Sequence, residues 1–337
     1  MRHVETMRHV NDHYEQIART CPPAKLNLFL ELCARRPDGF HEIDTVMVPI
    51  DWRDELQLQR IPADRLELNV QWLPSEQIVA QRLGVERSST AGRDLLEIPC
   101  DQRNLVHRAL SAFREAFQIS DGFRCSLEKQ IPAGAGLGGA SSDAASALLC
   151  AAKLCEIPPH TPRLIEIAAQ IGSDVPFFLG MGGTAPLGGA RARGRGEQIE
   201  PVQLAKTLDC IVIFPAISLS TAKVYAHSQI PSTPRDATAL VELLEDPKPT
   251  DLEPAMLNRL SDPAKKLAPQ IGEILESLWH EGLRTCQLTG SGSACFAISR
   301  SAESAQQAAS NLRARLEPGA LVMATQSTQV PAQIDVS

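Results

Sequence analysis

The residues best suited to chemistry lie in Ile131-Pro132-Ala133-Gly134-Ala135-Gly136-Leu137-Gly138-Gly139-Ala140-Ser141-Ser142-Asp143. Glycines crowded into a turn let a ligand approach the main chain, because glycine reaches backbone conformations closed to other residues. Ser141 and Ser142 suit a helix N-cap, and Ala144 to Leu154 is helix-forming sequence, so the turn should open straight into a helix. The first helical N–H groups lack internal acceptors and sit at the positive end of the macrodipole, which makes a site for phosphate. Two side chains elsewhere could act beside it. Lys25 begins an alternating apolar strand, as either a functional cation or a solvated strand-end charge. Asp174 precedes the very apolar Val175-Pro176-Phe177-Phe178-Leu179. It reads as a turn aspartate, or as a base at the edge of a hydrophobic pocket.

Known phosphate patterns narrow the choice. No Gly-Lys-Ser/Thr closes the loop, so the Walker pattern fails. G-x-G-x-x-G does match at Gly134, Gly136 and Gly139, with Glu156 at a plausible distance for a ribose contact. Its context is wrong for a nicotinamide cofactor. Phe123 to Ile131 alternates apolar with polar, whereas a strand buried in a parallel sheet reads as a continuous apolar run. Cys155 to Pro159 then leaves no second strand to carry the acid. A glycine-rich structural turn without ligand stays open on these residues alone.

A chain of 337 residues can hold two domains with proper cores. Its 40 acidic and 33 basic residues give a net charge of -7, which argues against a nucleic-acid or anionic-membrane surface as main partner. No apolar run reaches membrane-spanning length, and the N-terminus is too polar and acidic for a signal peptide. Nine scattered cysteines without a C-x-x-C pair point to reduced thiols in a cytoplasmic protein.

The elements that must position these residues follow from pattern. Met1 to Thr20, with MRHV twice and His9 and His13 on one helical face, reads as a solvated extension rather than a metal pair. Leu26, Leu28 and Leu30 mark a strand that carries Lys25 and Asn27. Arg35 to Glu42 is a turn presenting Phe40 as a stacking face and His41 as a hydrogen-bonding ring. Strands are expected over 45–50, 54–60 and 66–70, and helices over 104–117 and 163–171. Gly180 to Val202 reads as a hairpin at the domain junction, whose arginines could face an anionic substrate or only solvent. A buried strand over 210–215 precedes a helix capped at Ser220 or Thr221, and 232–254 is a surface loop broken by one helix through Leu240. A helix over 264–282 leads to a strand, Gly/Ser loop and strand over 285–298. A last helix over 302–316 precedes a tail expected to be disordered from Gln326.

Three segments, PPAKLNLFLEL, IPAGAGLGGASSDAA and LTGSGSACFAIS, resemble in order the three motifs of the GHMP small-molecule kinases. RRPDGFH, GSDVPFFL and GRGEQIEPV narrow the resemblance to the branch acting on a cytidine-diphosphate-linked methylerythritol. Galactose, homoserine and mevalonate kinases would not be expected to combine the glycine loop with DGFH and SDVPFF. The resemblance implies a two-domain α/β (α+β) fold, an S5-like ATP-binding domain over 21–182 and a ferredoxin-like domain over 183–326. Residues 1–20 would be an extension and 327–337 a tail. It implies ATP-dependent phosphorylation of an acceptor hydroxyl in the non-mevalonate route to isoprenoids. Lys25 and Asp174 match the catalytic pair, and Pro132, Ala133, Gly134, Ala135, Gly136, Leu137, Gly138, Gly139, Ala140, Ser141 and Ser142 match the ATP loop. Phe40 and His41 match the cytosine-binding pair, Tyr225 would close the other ring face, and Asn27 and Thr221 match polar substrate positions.

Phosphoryl transfer needs positioning, charge neutralisation and an activated oxygen. Asp174 could accept the hydroxyl proton while Lys25 keeps that carboxylate charged. Mg²⁺ should bridge the phosphates, its protein ligands unassigned beyond a loop serine. The expected partners are ATP and the small acceptor, with no nucleic acid or membrane, in a monomer or homodimer. Phe40 stands where tyrosine is common, Asp143 where asparagine is, and Thr250 where many members have asparagine.

Overall fold

The structure is a computed structural model that describes residues 14–181, 188–329 and 333–337. His9 and His13 lie outside the described residues. Three sheets organise the chain. The first has the order β14-β1-β4-β6-β5, with β1 Ile17–Thr20, β4 Glu55–Ile61, β5 Leu66–Trp72, β6 Gly122–Lys129 and β14 Asp335–Val336. The second runs β10-β2-β3-β7-β8, with β2 Pro23–Arg35, β3 His41–Arg53, β7 Gly188–Gly194, β8 Gln198–Gln203 and β10 Leu257–Asn258. The third is antiparallel, β11-β12-β9-β13, with β9 Asp209–Pro215, β11 Cys286–Leu288, β12 Cys295–Ile298 and β13 Ala320–Gln326.

Period-two alternation in β6 sends Phe123, Cys125, Leu127 and Lys129 inward. The amphipathic helix Leu105–Phe117 buries Val106, Ala109, Leu110 and Phe113 against that sheet, with Asn104 capping it through Val106 N (2.9 Å). Between them runs the helix Gly139–Leu154, buried on nearly every side. Its alanines allow the close approach, and it carries the glycine loop at its N-terminus. The third sheet is covered by the helices Gln270–His280 and Ala302–Leu316.

Several expectations change. Neither serine caps the helix after the glycine loop. Gly138, at φ +73°, is the N-cap, and the first helical bond runs from Ser142 N to Gly138 O (2.9 Å). Ile17–Thr20 is no solvated extension but a strand between β4 and β14. The tail is ordered where described: Gln326 ends β13, Ser327 N donates to Leu208 O (2.8 Å), and β14 closes the sheet edge. The long helix expected over 264–282 is two, Ser261–Leu267 and Gln270–His280. Pro269 forces the break, since the residue before proline is driven from helical geometry and Ala268 sits at φ -142°, ψ 88°. Helices at Glu76–Leu83 and Thr90–Leu96, and β10, were not foreseen. β7 pairs with β3, so the hairpin after residue 182 extends the sheet that holds Lys25. After the glycine-loop helix the next element is another helix, Pro162–Ile171, as the argument against a nicotinamide site requires.

Candidate active site

β2 brings Lys25 and Asn27 under the glycine loop. Lys25 N donates to Leu137 O (2.9 Å), which ties the strand to the loop. Lys25 is 2 % exposed. Its ammonium donates to Gly136 O (2.8 Å) and to Asn27 Oδ1, and lies 3.7 Å from Asp174 Oδ2. Burial pushes the ammonium below the ordinary lysine range, against the opposing pull of Asp174. Asn27 is fixed in turn: its Nδ2 donates to Thr45 Oγ1 (2.9 Å), whose hydroxyl donates to Phe29 O (2.6 Å). Thr289 Oγ1, from the Gly/Ser loop, accepts from Asn27 N (3.1 Å).

The loop's shape needs particular glycines. A Cβ on Gly136, at φ +78°, would fall 2.2 Å from Thr289 O. One on Gly138 would press on Lys25 Cγ and the Phe178 ring at 3.0 Å. Gly134, at φ +65°, has nothing within 4 Å of such a Cβ, so its main chain faces open space where a phosphate can lie. Ala294 N donates to Ala135 O (3.0 Å), and the Asn258 amide donates to Leu288 O and Gly290 O (both 2.8 Å). The first bond joins the Gly/Ser loop to the glycine loop, and the Asn258 bonds fix the Gly/Ser loop to β10. Beneath it, Lys129 binds Asp54 and Asp143 (2.6 Å to Asp143 Oδ2), and Asp54 accepts from Gln130 N and Ile131 N (2.6 and 2.8 Å). Burial and the nearby Asp54 push the Asp143 carboxyl well above the usual range, although Lys129 pulls the other way.

One cleft of about 740 Å³ opens onto this machinery. Lys25, Asn27, Phe40, His41, Asp174, Thr221 and Tyr225 line it, together with Gly134, Gly136, Gly138 and Ser141 of the loop. Ala135, Leu137 and Ser142 are instead buried beneath the loop, and Pro132, Ala133, Gly139 and Ala140 lie outside the lining. Asp174 sits just before the helix Val175–Met181, its side chain one-third exposed to the cleft. At the other end the His41 and Tyr225 rings lie 5.2 Å apart, tilted by 44°. Burial, with Arg35 adding to it, lowers the His41 pKa, which favours the neutral ring with one donor and one acceptor. Burial, helped by Asp174, pushes Tyr225 up to about 12. Phe40 stands 52 % exposed, held by an Asx turn in which Asp38 Oδ1 accepts from Phe40 N (3.1 Å). Thr221 Oγ1 shares a hydrogen bond with Ser291 Oγ (2.8 Å).

Sequence reasoning assigned no role to Thr45, Thr289 or Asn258, although Thr289 lies within a motif it marked. Their part depends on contacts across the sheets that local pattern does not carry. Among the described residues no group of three or more His, Cys, Asp or Glu could hold a metal ion, and no helix is long and apolar enough to cross a membrane.

A glycine loop at a helix N-terminus, a lysine–aspartate pair beneath it and an adjoining cleft form an arrangement that would suit a small-molecule kinase. The chain matches the models described as GHMP kinases N terminal domain, over residues 104–183, and GHMP kinases C terminal, over 240–318. It is 44 % identical to a 4-diphosphocytidyl-2-C-methyl-D-erythritol kinase of Rhodopirellula baltica, covering 94 % of this chain and 98 % of the relative. A protein of that name from Pelotomaculum thermopropionicum is 34 % identical, over 86 % and 92 %. Among solved structures, a 4-(cytidine 5'-diphospho)-2C-methyl-D-erythritol kinase superposes at TM-score 0.70 and 33 % identity, covering 92 % of this chain and 99 % of that one. A homoserine kinase from Cytophaga hutchinsonii, 18 % identical at TM-score 0.65 over 95 % and 98 %, shares the fold. The chain belongs to the GHMP kinase family, with that family's two-domain fold of mixed helices and sheets.

Proposed function

We infer that this protein transfers the γ-phosphoryl group of ATP to a hydroxyl of 4-diphosphocytidyl-2-C-methyl-D-erythritol, a step toward isoprenoid precursors. The observation that carries the reading is a single cleft joining the Lys25–Asp174 pair (3.7 Å) to the Phe40, His41 and Tyr225 rings. Other kinases of this fold need the first group; a cytidine-linked acceptor also needs the second.

In the mechanism, the glycine loop and helix N-terminus hold the ATP phosphates through backbone N–H groups. Asp174 Oδ2 accepts the acceptor's hydroxyl proton as the oxygen attacks the γ-phosphorus and the bond to ADP breaks. Lys25, fixed by Asn27 and Gly136, stabilises the negative charge that builds on the transferred group. Phe40 and Tyr225 take the pyrimidine between them, and His41 bonds its edge. Asn27 and Thr221 contact the acceptor nearer the reacting hydroxyl.

Magnesium fits as a companion of ATP rather than as a resident ion. Among the described residues the Ser141 hydroxyl lines the cleft without a hydrogen-bond partner, and Asp174 adds a carboxylate, so oxygen donors of the kind magnesium takes are present. Such an ion would neutralise phosphate charge. We assign the ATP-binding unit to residues 17–182 with the β7–β8 hairpin and β14 added, and the second unit to the remainder up to 326. All nine cysteines are free thiols, in keeping with a cytoplasmic protein.

The test is acceptor-dependent ADP release. Turnover with the cytidine-linked acceptor, and none with mevalonate or homoserine, is expected; equal turnover with all three contradicts the reading.

A further inference from the structure

The β7–β8 turn holds Arg195 between the two ends of the cleft. Gly194 and Gly196 flank it at φ +73° and +119°, and Arg195 N donates to Glu197 Oε2 (2.7 Å). A Cβ on Gly196 would lie 3.3 Å from Ser173 O, so the turn is pressed against the residue before Asp174. From there the Arg195 side chain lines the cleft, and its guanidinium lies over the Phe40 ring, 5.0 Å from the centroid. Among the described residues that guanidinium has no ion pair or hydrogen bond. Asp38 feels its charge but is itself bound to Arg36.

The acceptor reading and the position of the guanidinium conflict unless Arg195 moves. Phe40 should receive a pyrimidine, yet a cation covers its face inside the same cleft. An acceptor reaching from the rings to Asp174 also carries a diphosphate through the middle of the cleft. Lys25 is engaged by Asp174, Asn27 and Gly136 and cannot turn to it. Arg35 lines the cleft beside His41 rather than over Phe40. Arg195 remains, a planar fork suited to phosphate oxygens.

We propose that Arg195 gates the base slot: without acceptor it covers Phe40, and the acceptor's diphosphate draws it off so that the pyrimidine stacks in its place. The exposed cation–π contact is weak, and the charge-assisted bonds to phosphate that replace it are stronger. Base recognition is therefore conditional on the diphosphate, which discriminates against free nucleosides. This rests on the acceptor reading given above.

The test measures inhibition of acceptor turnover by cytidine and by CDP, at saturating ATP, in the wild type, Arg195→Ala and Arg195→Lys. Arg195→Ala should weaken CDP by about tenfold or more, the loss of a charged hydrogen bond. It should also tighten cytidine about two- to fivefold, because the competing contact is gone. Arg195→Lys should keep most of the CDP affinity and still tighten cytidine, since an ammonium keeps the charge but not the planar stack. Thermal melting and ADP affinity of each variant check the fold. An ordinary phosphate-binding residue cannot produce opposite signs for the two ligands. If cytidine is unchanged or weakened in Arg195→Ala while the wild type turns over its acceptor, the gate is overturned and the acceptor reading stands. If the wild type turns over no cytidine-linked acceptor, that reading fails and the gate with it.

Discussion

Lys25 and Asn27, at 2 % and 3 % exposure, sit on a strand that is hydrogen-bonded on both sides. Asn27 donates to Thr45 and accepts from Thr289, and Lys25 donates to Gly136, which holds their side chains in one geometry. Phe40 lies in the turn between β2 and β3 and is 52 % exposed, with a cation over its ring. One end of the cleft is thus pre-organised for chemistry. The other is assembled from rings that meet in the cleft: His41 from a strand start, Phe40 from a turn and Tyr225 from a short helix. Pre-organised donors act on the transition state at no cost in reorganisation, whereas stacking surfaces supply affinity and selection. Changes at the first end should fall on kcat, and changes at the second on the acceptor KM.

The largest effect is expected from Asp174→Asn. The amide keeps the shape but cannot accept the proton, so kcat should fall about 10²- to 10⁴-fold with the fold intact. Turnover near that of the wild type would reduce Asp174 to a turn residue. Lys25→Met should cost about 10²-fold or more in kcat, with less effect on ATP affinity. The wild-type pH profile sharpens this point. Because burial lowers the Lys25 pKa, the ammonium of the free enzyme loses its charge below the ordinary lysine value, and the alkaline fall of kcat/KM should lie there too. An alkaline limb at or above that value would contradict the assignment.

Phe40→Ala and His41→Ala should be milder and of a different kind. Loss of stacking is worth ~1–3 kcal/mol in acceptor KM, a figure borrowed from base–aromatic contacts in nucleic-acid binding. His41→Ala should in addition blur the choice between CDP- and UDP-linked acceptors, because base-edge groups lose their partner. Unchanged KM and base preference in both variants would dissolve the recognition end.

The smallest effect lies behind both ends. The folded Asp143 carboxyl holds its proton to higher pH than the unfolded chain does. Between the two pKa values the folded state binds more protons, so stability falls as pH rises through that window. Asp143→Asn removes this term. Its melting temperature should therefore gain on that of the wild type as pH rises above the ordinary carboxylate pKa. Parallel melting curves across that range would show Asp143 to be charged throughout.

The two ends also differed in how far the sequence disclosed them. Lys25, Asp174 and the glycine loop stood out because their residue types suit one chemistry and their motifs are contiguous. Phe40 and His41 were legible through Pro37-Asp38-Gly39, a local turn. Arg195 was not, since facing substrate or solvent depends on β7 pairing with β3 and on Gly196 pressing against Ser173. The serines were misplaced as caps because capping preference favours serine, while the close approach to Lys25 and Phe178 admits only Gly138. β14, two residues long, carries no periodicity to read and is defined wholly by its partner β1.

The division of labour is tested most directly by a double-mutant cycle on Asp174→Asn and Phe40→Ala, read as kcat and acceptor KM for the two single variants and the double variant. The account predicts additivity within about 0.5 kcal/mol, with the kcat loss following Asp174→Asn and the KM rise following Phe40→Ala. A kcat loss in Phe40→Ala comparable to that in Asp174→Asn, or strong coupling between the two, would contradict it.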